Sequence, residues 1–174
     1  MAVLSIVEVP DPRLRLVSRP VEVIDDVTRA FVADLYDTMY AAKGIGLAAI
    51  QVGVDQRILV IDLQAEEDSD GKPIRTPAAY INPEILWQSD ESSTYNEGCL
   101  SIPEQYAEVA RPARCRVRWQ DEHSAAHEEE LDGLMATCMQ HEIDHLNGVL
   151  FTDHLSRLKR DMVMKKLAKI RKAA

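Results

Sequence analysis

Gln140-His141-Glu142-Ile143-Asp144-His145 is the stretch that decides how the rest of this chain is read. Two histidines four residues apart lie one above the other on a helix face, where both imidazoles can reach one metal ion. The glutamate directly after the first histidine projects beside that ion and can serve as a general base. The pattern therefore points to metal-assisted hydrolysis. The bland alternative is a surface helix that happens to carry two histidines.

Downstream of the motif the third ligand is missing. One large group of such sites places a further histidine six residues after the second, with a glycine halfway along. Gly148 is present, but Phe151 holds the sixth position. Only Asp153, His154 and Asp161 remain as candidates, and no glutamate follows Glu142. A catalytic site keeps three protein ligands and one open position, so the third is expected upstream.

The three cysteines differ in their settings. From Cys138 to His145 a helix rises roughly 10 Å, too far for a short side chain, so Cys138 reads as core or pocket wall. Cys115 falls on the buried face of an alternating strand. Cys99 lies in Glu97-Gly98-Cys99-Leu100-Ser101, where the glycine permits close approach of backbone to a ligand. A thiolate there completes a two-histidine, one-cysteine set with a water position left open.

Length and composition bound the remaining possibilities. A chain of 174 residues fits one domain, taken as 1–174. An apolar fraction of 46% with 28% charged residues is ordinary for a globular protein, and no run of apolar residues is long enough to span a membrane. The N-terminus lacks a basic region ahead of its short apolar run, so the cytoplasm is the expected compartment, with the cysteines as thiols. The net charge of −9 is uneven. Residues 157–174 hold eight Lys or Arg against Asp161 alone, which makes that tail +7 and leaves −16 to the first 156 residues. A basic tail on an acidic body reads either as the solvated face of a packed helix or as a docking element for a polyanion.

The expected fold class is α+β, with mixed or antiparallel strands around a central metal-binding helix and further helices at both ends. Val27, Phe31, Leu35 and Met39 form a stripe over a helix at 26–42, capped by Asp25 or Asp26. Residues 57–63 read as a buried strand and Glu66 to Pro77 as a surface loop. Residues 78–87 read as a second strand that Pro83 makes imperfect or edge-like. Cys115, Val117 and Trp119 alternate with three arginines, and 126–132 should pair with them. The metal-binding helix runs from Leu134 to about Asn147, with Gly148 at C′. A basic amphipathic helix at about 156–172 sets Leu158, Met162, Leu167 and Ile170 on one side.

Three separated motifs carry a family likeness. Gly44-Ile45-Gly46-Leu47-Ala48-Ala49-Ile50-Gln51, then Glu97-Gly98-Cys99-Leu100-Ser101, then Gln140 to His145 resemble in order and spacing the signature motifs of bacterial peptide deformylases. Pro10-Asp11-Pro12-Arg13-Leu14-Arg15, Ile81-Asn82-Pro83 and Leu146-Asn147-Gly148-Val149-Leu150-Phe151 extend the likeness over nearly the whole chain.

The resemblance implies hydrolytic removal of the formyl group from the formyl-methionine of new polypeptides, with release of formate. It implies a metal held by Cys99, His141 and His145, usually ferrous iron, with zinc, nickel or cobalt as substitutes. Glu142 would be the base, and Gln51 with the Leu100 backbone N–H would stabilise the oxyanion. Ile45, Gly46 and Gly98 would bind substrate backbone, while Tyr95, Leu134, Thr137 and Cys138 would wall the methionine pocket. Glu97 and Arg111 match a buried supporting ion pair. Related enzymes are thought to dock on ribosomal RNA, a role the basic helix would fill. Lys43 and Tyr106 depart from the family's common acidic residue and arginine, which bears on the pocket rim and not on the reaction. The rival readings are a metalloendopeptidase, which would release fragments and no formate, and a non-enzymatic metal- or ribosome-binding protein.

Overall fold

The computed structural model describes residues 2–174, and every reported strand pairing is antiparallel. Helix α1 (Asp26–Ala41) starts at Asp25, whose side chain accepts from the Thr28 N–H while the Thr28 hydroxyl returns to the Asp25 backbone. A five-stranded sheet follows in the order β1 (Gly46–Ala48), β2 (Ile58–Ile61), β3 (Ala78–Gln88), β6 (Cys115–Gln120), β7 (Ala126–Leu131). Strands β4 (Ser92–Cys99) and β5 (Ile102–Pro112) form a separate hairpin. Helix α2 (Gly133–Leu146) lies between sheet and hairpin, and α3 (Arg157–Ala173) packs beside β5.

The strand period of two decides which face meets which helix. On β2, Leu59 and Ile61 join Ala136, Met139, Ile143 and Leu146 of α2 in one core cluster. Ile58 and Val60 point the other way, to Val32, Leu35 and Met39 of α1. A strand buried on both faces reads as an unbroken apolar run, and Ile58-Leu59-Val60-Ile61 is one. A third cluster joins the N-terminal arm (Val7, Val9, Leu14), β5 (Ile102, Val109) and α3 (Val163, Leu167).

Three expectations need correction. Pro83 makes β3 imperfect but does not make it an edge, since β3 pairs with both β2 and β6. The pairing skips there, two residues of β3, Asn82 and Pro83, opposing one of β6, Trp119, between Ile81/Gln120 and Glu84/Arg118. A bulge leaves one residue unpaired, so proline's missing N–H costs no ladder bond. On α1 the buried stripe is Thr28, Val32, Leu35, Thr38 and Met39, while Val27 is 77% exposed. Strict steps of four drift around a 3.6-residue helix, so the ends of the expected stripe turn outward. On α3 the buried residues are Val163 and Leu167, and Leu158, Met162 and Ile170 are exposed.

Candidate metal centre

Helix α2 is buried on nearly every side, which is why polar groups can be held on it out of water. It ends in a Schellman arrangement: Gly148 N–H donates to the His145 carbonyl and Val149 N–H to the Asp144 carbonyl. Gly148 takes φ 75° against the Arg15 backbone, a position only glycine fills freely. The helix therefore stops one residue after His145, and the chain turns back toward Arg15.

His141, Glu142 and His145 are 8%, 4% and 0% exposed. The tip of the β4–β5 hairpin brings Cys99 to them. Cys99 Sγ lies 3.3 Å from His145 Nε2, and His145 Nε2 lies 3.3 Å from His141 Nε2. Among the described residues these three form the group able to hold a metal, with ligand atoms all within 4.8 Å of one another. Cys138, by contrast, is a buried thiol whose pKa is pushed well up by burial and then by Glu142 and Glu97, so it stays protonated.

The hydrogen bonds behind the ligands show whether a metal fits. His141 Nδ1 lies 2.8 Å from Glu97 Oε1. Burial would raise the Glu97 carboxyl, yet hydrogen bonds from His141 and Arg111 hold it below its ordinary value. As a carboxylate Glu97 can only accept, so Nδ1 carries a hydrogen and Nε2 is the ring atom that faces His145 and Cys99. Burial, then the charges of His141 and Arg111, keep His145 well below its ordinary pKa and hence neutral. Burial opposes protonation of His141, but hydrogen bonds with Cys99 and Glu97 and the Glu142 charge raise it to about 10, so the 3.3 Å gap between the two Nε2 atoms is a place that attracts a cation. A tetrahedral ion with bonds of about 2.0–2.1 Å separates its nitrogens by about 3.3 Å. The donor set fits.

Two further groups face this point. Glu142 Oε1 is 3.9 Å from His141 Nε2, and Oε2 is buried with no hydrogen-bond partner. Burial pushes the Glu142 carboxyl up to about 7, with Glu97 and Asp144 adding to the rise and His141 and Arg111 opposing it. Gln51 sits in the 3-10 turn Ala49–Val52 after β1. Its Oε1 accepts from Ala48 N–H at 2.9 Å, which fixes the amide so that Nε2 faces Cys99 Sγ at 3.4 Å and Ser101 Oγ at 3.1 Å.

The site opens into a cavity of about 460 Å³. Ile45, Gly46, Gly98, Leu100, Tyr95, Leu134, Thr137 and Cys138 all line it, together with Lys43 and Tyr106 at its mouth. Gly46 is where β1 touches α2: a Cβ there would lie 2.7 Å from Glu142 Oε1 and 3.1 Å from Cys138 Sγ. Sequence reasoning missed Ser101, Ile102 and Gln105. The first orients Gln51, and the other two line the cavity. Their signal would have been the hairpin itself, whose strands carry too few apolar residues to stand out.

Glu97 and Arg111 form a bidentate pair at 2.7 and 3.0 Å with side chains 5% and 4% exposed. Sequence alone would have left them as surface charges. Removing one partner of so buried a pair strands the other, at a cost of about 3–5 kcal/mol.

A model of the polypeptide deformylase family matches residues 3–161 of this chain. A peptide deformylase of Rhizorhabdus wittichii is 66% identical over 173 residues, covering 99% of this chain and 98% of that one. Among solved structures, a peptide deformylase from Legionella pneumophila superposes with a TM-score of 0.89 at 40% identity, covering 99% of this chain and 97% of its own. One from Ehrlichia chaffeensis, in complex with actinonin, gives 0.86 at 44% identity, with 97% and 98% covered.

Proposed function

The chain belongs to the peptide deformylase family and is a hydrolase that removes the N-terminal formyl group from nascent polypeptides; from that premise we propose which of its residues perform the reaction. The observation that carries the assignment is the convergence of Cys99 Sγ, His141 Nε2 and His145 Nε2 beside the unpartnered Glu142 carboxylate oxygen. Enzymes of this family are metalloenzymes. Cys99, His141 and His145 hold the ion, for which ferrous iron is proposed and zinc, nickel and cobalt are alternatives the same soft donors accept. When bound, the ion supplies Lewis acidity that polarises the formyl carbonyl and acidifies a water molecule.

The chain's own residues do the rest. Glu142 takes a proton from the attacking water and passes it to the leaving amine, so that one amide and one water become formate and a free α-amine. A carboxyl raised toward neutrality by burial suits both steps, because it must first accept and then release. Gln51 Nε2 and the Leu100 backbone N–H donate to the oxyanion that forms on the formyl carbon. Fixing Gln51 Oε1 on Ala48 beforehand holds the amide in place, so that the Nε2 hydrogen now aimed at Cys99 Sγ can turn to that charge as it appears.

Ile45 and Gly46 on the β1 edge, with Gly98 opposite, take the substrate backbone as an added strand. Tyr95, Leu134, Thr137 and Cys138 receive the methionine side chain. Glu97 and Arg111 hold the cysteine-bearing hairpin and the His141 ring in register. The chain acts as a single domain in the cytoplasm, and α3 contacts the ribosome. The exposed basic residues along α3 support that contact.

Metal analysis after anaerobic purification tests the assignment. The parent should carry one ion per chain, and Cys99→Ala, His141→Ala and His145→Ala should carry none while Glu142→Gln retains it. Full occupancy in any one of the three alanine variants would refute the ligand set.

A further inference from the structure

A line of charged groups runs from the metal-binding histidine to the protein surface. His141 Nδ1 meets Glu97 Oε1, and Arg111 grips Glu97 through Nε and Nη2. Arg111 Nη1 then turns to Asp144 Oδ2 at 2.8 Å, and the same oxygen lies 2.8 Å from His154 Nε2. Along this line exposure climbs, from 4% for the Arg111 side chain to 24% for Asp144 and 36% for His154. The reaction as described uses His141 and Glu97 but gives His154 nothing to do.

The direction of its hydrogen bond is settled by its neighbours. An Asp144 carboxylate only accepts and Arg111 only donates, so His154 Nε2, 3.5 Å from Arg111 Nη1, must carry its hydrogen toward Asp144. That matters because Asp144 is half-open to water. One guanidinium N–H leaves its carboxylate free to turn, whereas a second donor on the same oxygen fixes it. A fixed Asp144 holds one end of the planar Arg111 fork, and the other end holds Glu97 by two bonds.

A second observation points to the same element. His154 closes the 3-10 turn Phe151–His154, and Phe151 lies nearly parallel to the His141 ring, 6.2 Å between centroids at 23°. The turn thus restrains His141 once through its ring and once through the charged line.

We propose that His154 is a positioning residue for the metal centre: its Nε2–H, anchored on Asp144, aligns Arg111 and Glu97 so that His141 presents Nε2 to the ion. This rests on the reading that Cys99, His141 and His145 bind a metal.

The test uses the full chain loaded with cobalt(II), whose visible absorption reports ligand geometry, and follows the rate of cobalt transfer to a chelating dye at fixed pH. His154→Phe keeps a ring and loses the donor; His154→Gln keeps an N–H at similar reach and loses the ring. Partners behind metal ligands typically alter affinity 10- to 100-fold, so the Phe variant should lose cobalt about 10-fold faster with an altered spectrum, while the Gln variant stays within about 2-fold of the parent. If the larger ring does not fold, His154→Ala takes its place with the same expectation. Cobalt loss at the parent rate from the Phe or Ala variant, or equally fast loss from the Gln variant, overturns the proposal. A parent that binds no cobalt would instead overturn the metal assignment beneath it.

Discussion

At Glu142 the governing quantity is the cost of keeping a carboxylate charged where water is excluded. One oxygen is buried without a partner, and burial raises the carboxyl to about 7. A structural carboxylate would have been given a donor, as Glu97 was given Arg111 and His141. Glu142→Gln keeps the shape and removes the base. The expected outcome is a fall in kcat/KM of roughly 10²- to 10⁴-fold with unchanged metal content, read by formate release. A fall of less than tenfold would mean that another group takes the proton. The local pattern of residues 140–145 disclosed Glu142 and both histidines, because ligand spacing on one helix is a sequence property. Cys99 was reachable only by elimination, and Glu97, Arg111, Asp144 and His154 meet through a hairpin and a turn that no local period announces.

Among the elements, β1 shows most plainly what the sequence hid. Gly44-Ile45-Gly46-Leu47 reads as a break in a helical pattern, yet Gly46–Ala48 is the sheet's edge strand, pressed against α2. Its glycine is required by proximity, since a methyl group at 46 would strike the Glu142 carboxylate and the Cys138 sulfur. Gly46→Ala should therefore push β1 off α2, costing about 1–3 kcal/mol of stability and reducing kcat/KM at least tenfold. Thermal unfolding with the formate assay checks both, and a fully active variant would show that the strand can withdraw harmlessly. Strand β4 escaped notice for a different reason. Ser92-Ser93-Thr94-Tyr95-Asn96-Glu97 has no apolar alternation, because its inward face is a binding cavity and an ion pair instead of a core.

The turn after α2 is held by charge as well as by packing. Asp153 accepts from Arg15 at 2.5 Å and from the Leu150 N–H at 3.0 Å, tying the N-terminal arm to the turn. Burial raises its carboxyl, but the Arg15 hydrogen bond, the Leu150 N–H and the charges of Arg15 and Arg160 outweigh that and hold it below 3.8. A folded-state pKa below the unfolded one contributes stability that is present above pH 3.8 and is lost as pH falls through the folded value. Asp153→Asn should thus be less stable than the parent by about 1 kcal/mol at pH 7, with the gap closing below about pH 4. Denaturant midpoints across that range decide it, and a gap independent of pH would remove the charge from the explanation.

Over the whole molecule the unequal charge is the feature left for a partner to explain. The tail from 157 is +7 on a body of −16, and Lys165, Lys166, Lys169 and Lys172 stand on exposed positions of α3. Deleting this helix would also uncover core, because Val163 and Leu167 pack with Val7, Leu14 and Ile102. Substituting the four lysines by glutamine is the cleaner experiment. It should leave formate release from a short peptide unchanged and weaken salt-sensitive ribosome binding, with a shallower dependence on salt. Equal binding by parent and variant at every salt concentration would leave the basic face as simple solvation.

Formate release is the most direct test of the central claim, that three side chains hold an ion while Glu142 drives removal of a formyl group. The chain, purified anaerobically, is offered formyl-Met-Ala and the same peptide without the formyl group, before metal removal by a chelator, after it, and after ferrous iron is restored. One formate should appear for each α-amine freed from the formylated peptide, with no cleavage of the other, loss of the activity on chelation and its return with iron. Formate release that persists in the metal-free protein, or peptide fragments appearing without formate, would contradict that claim.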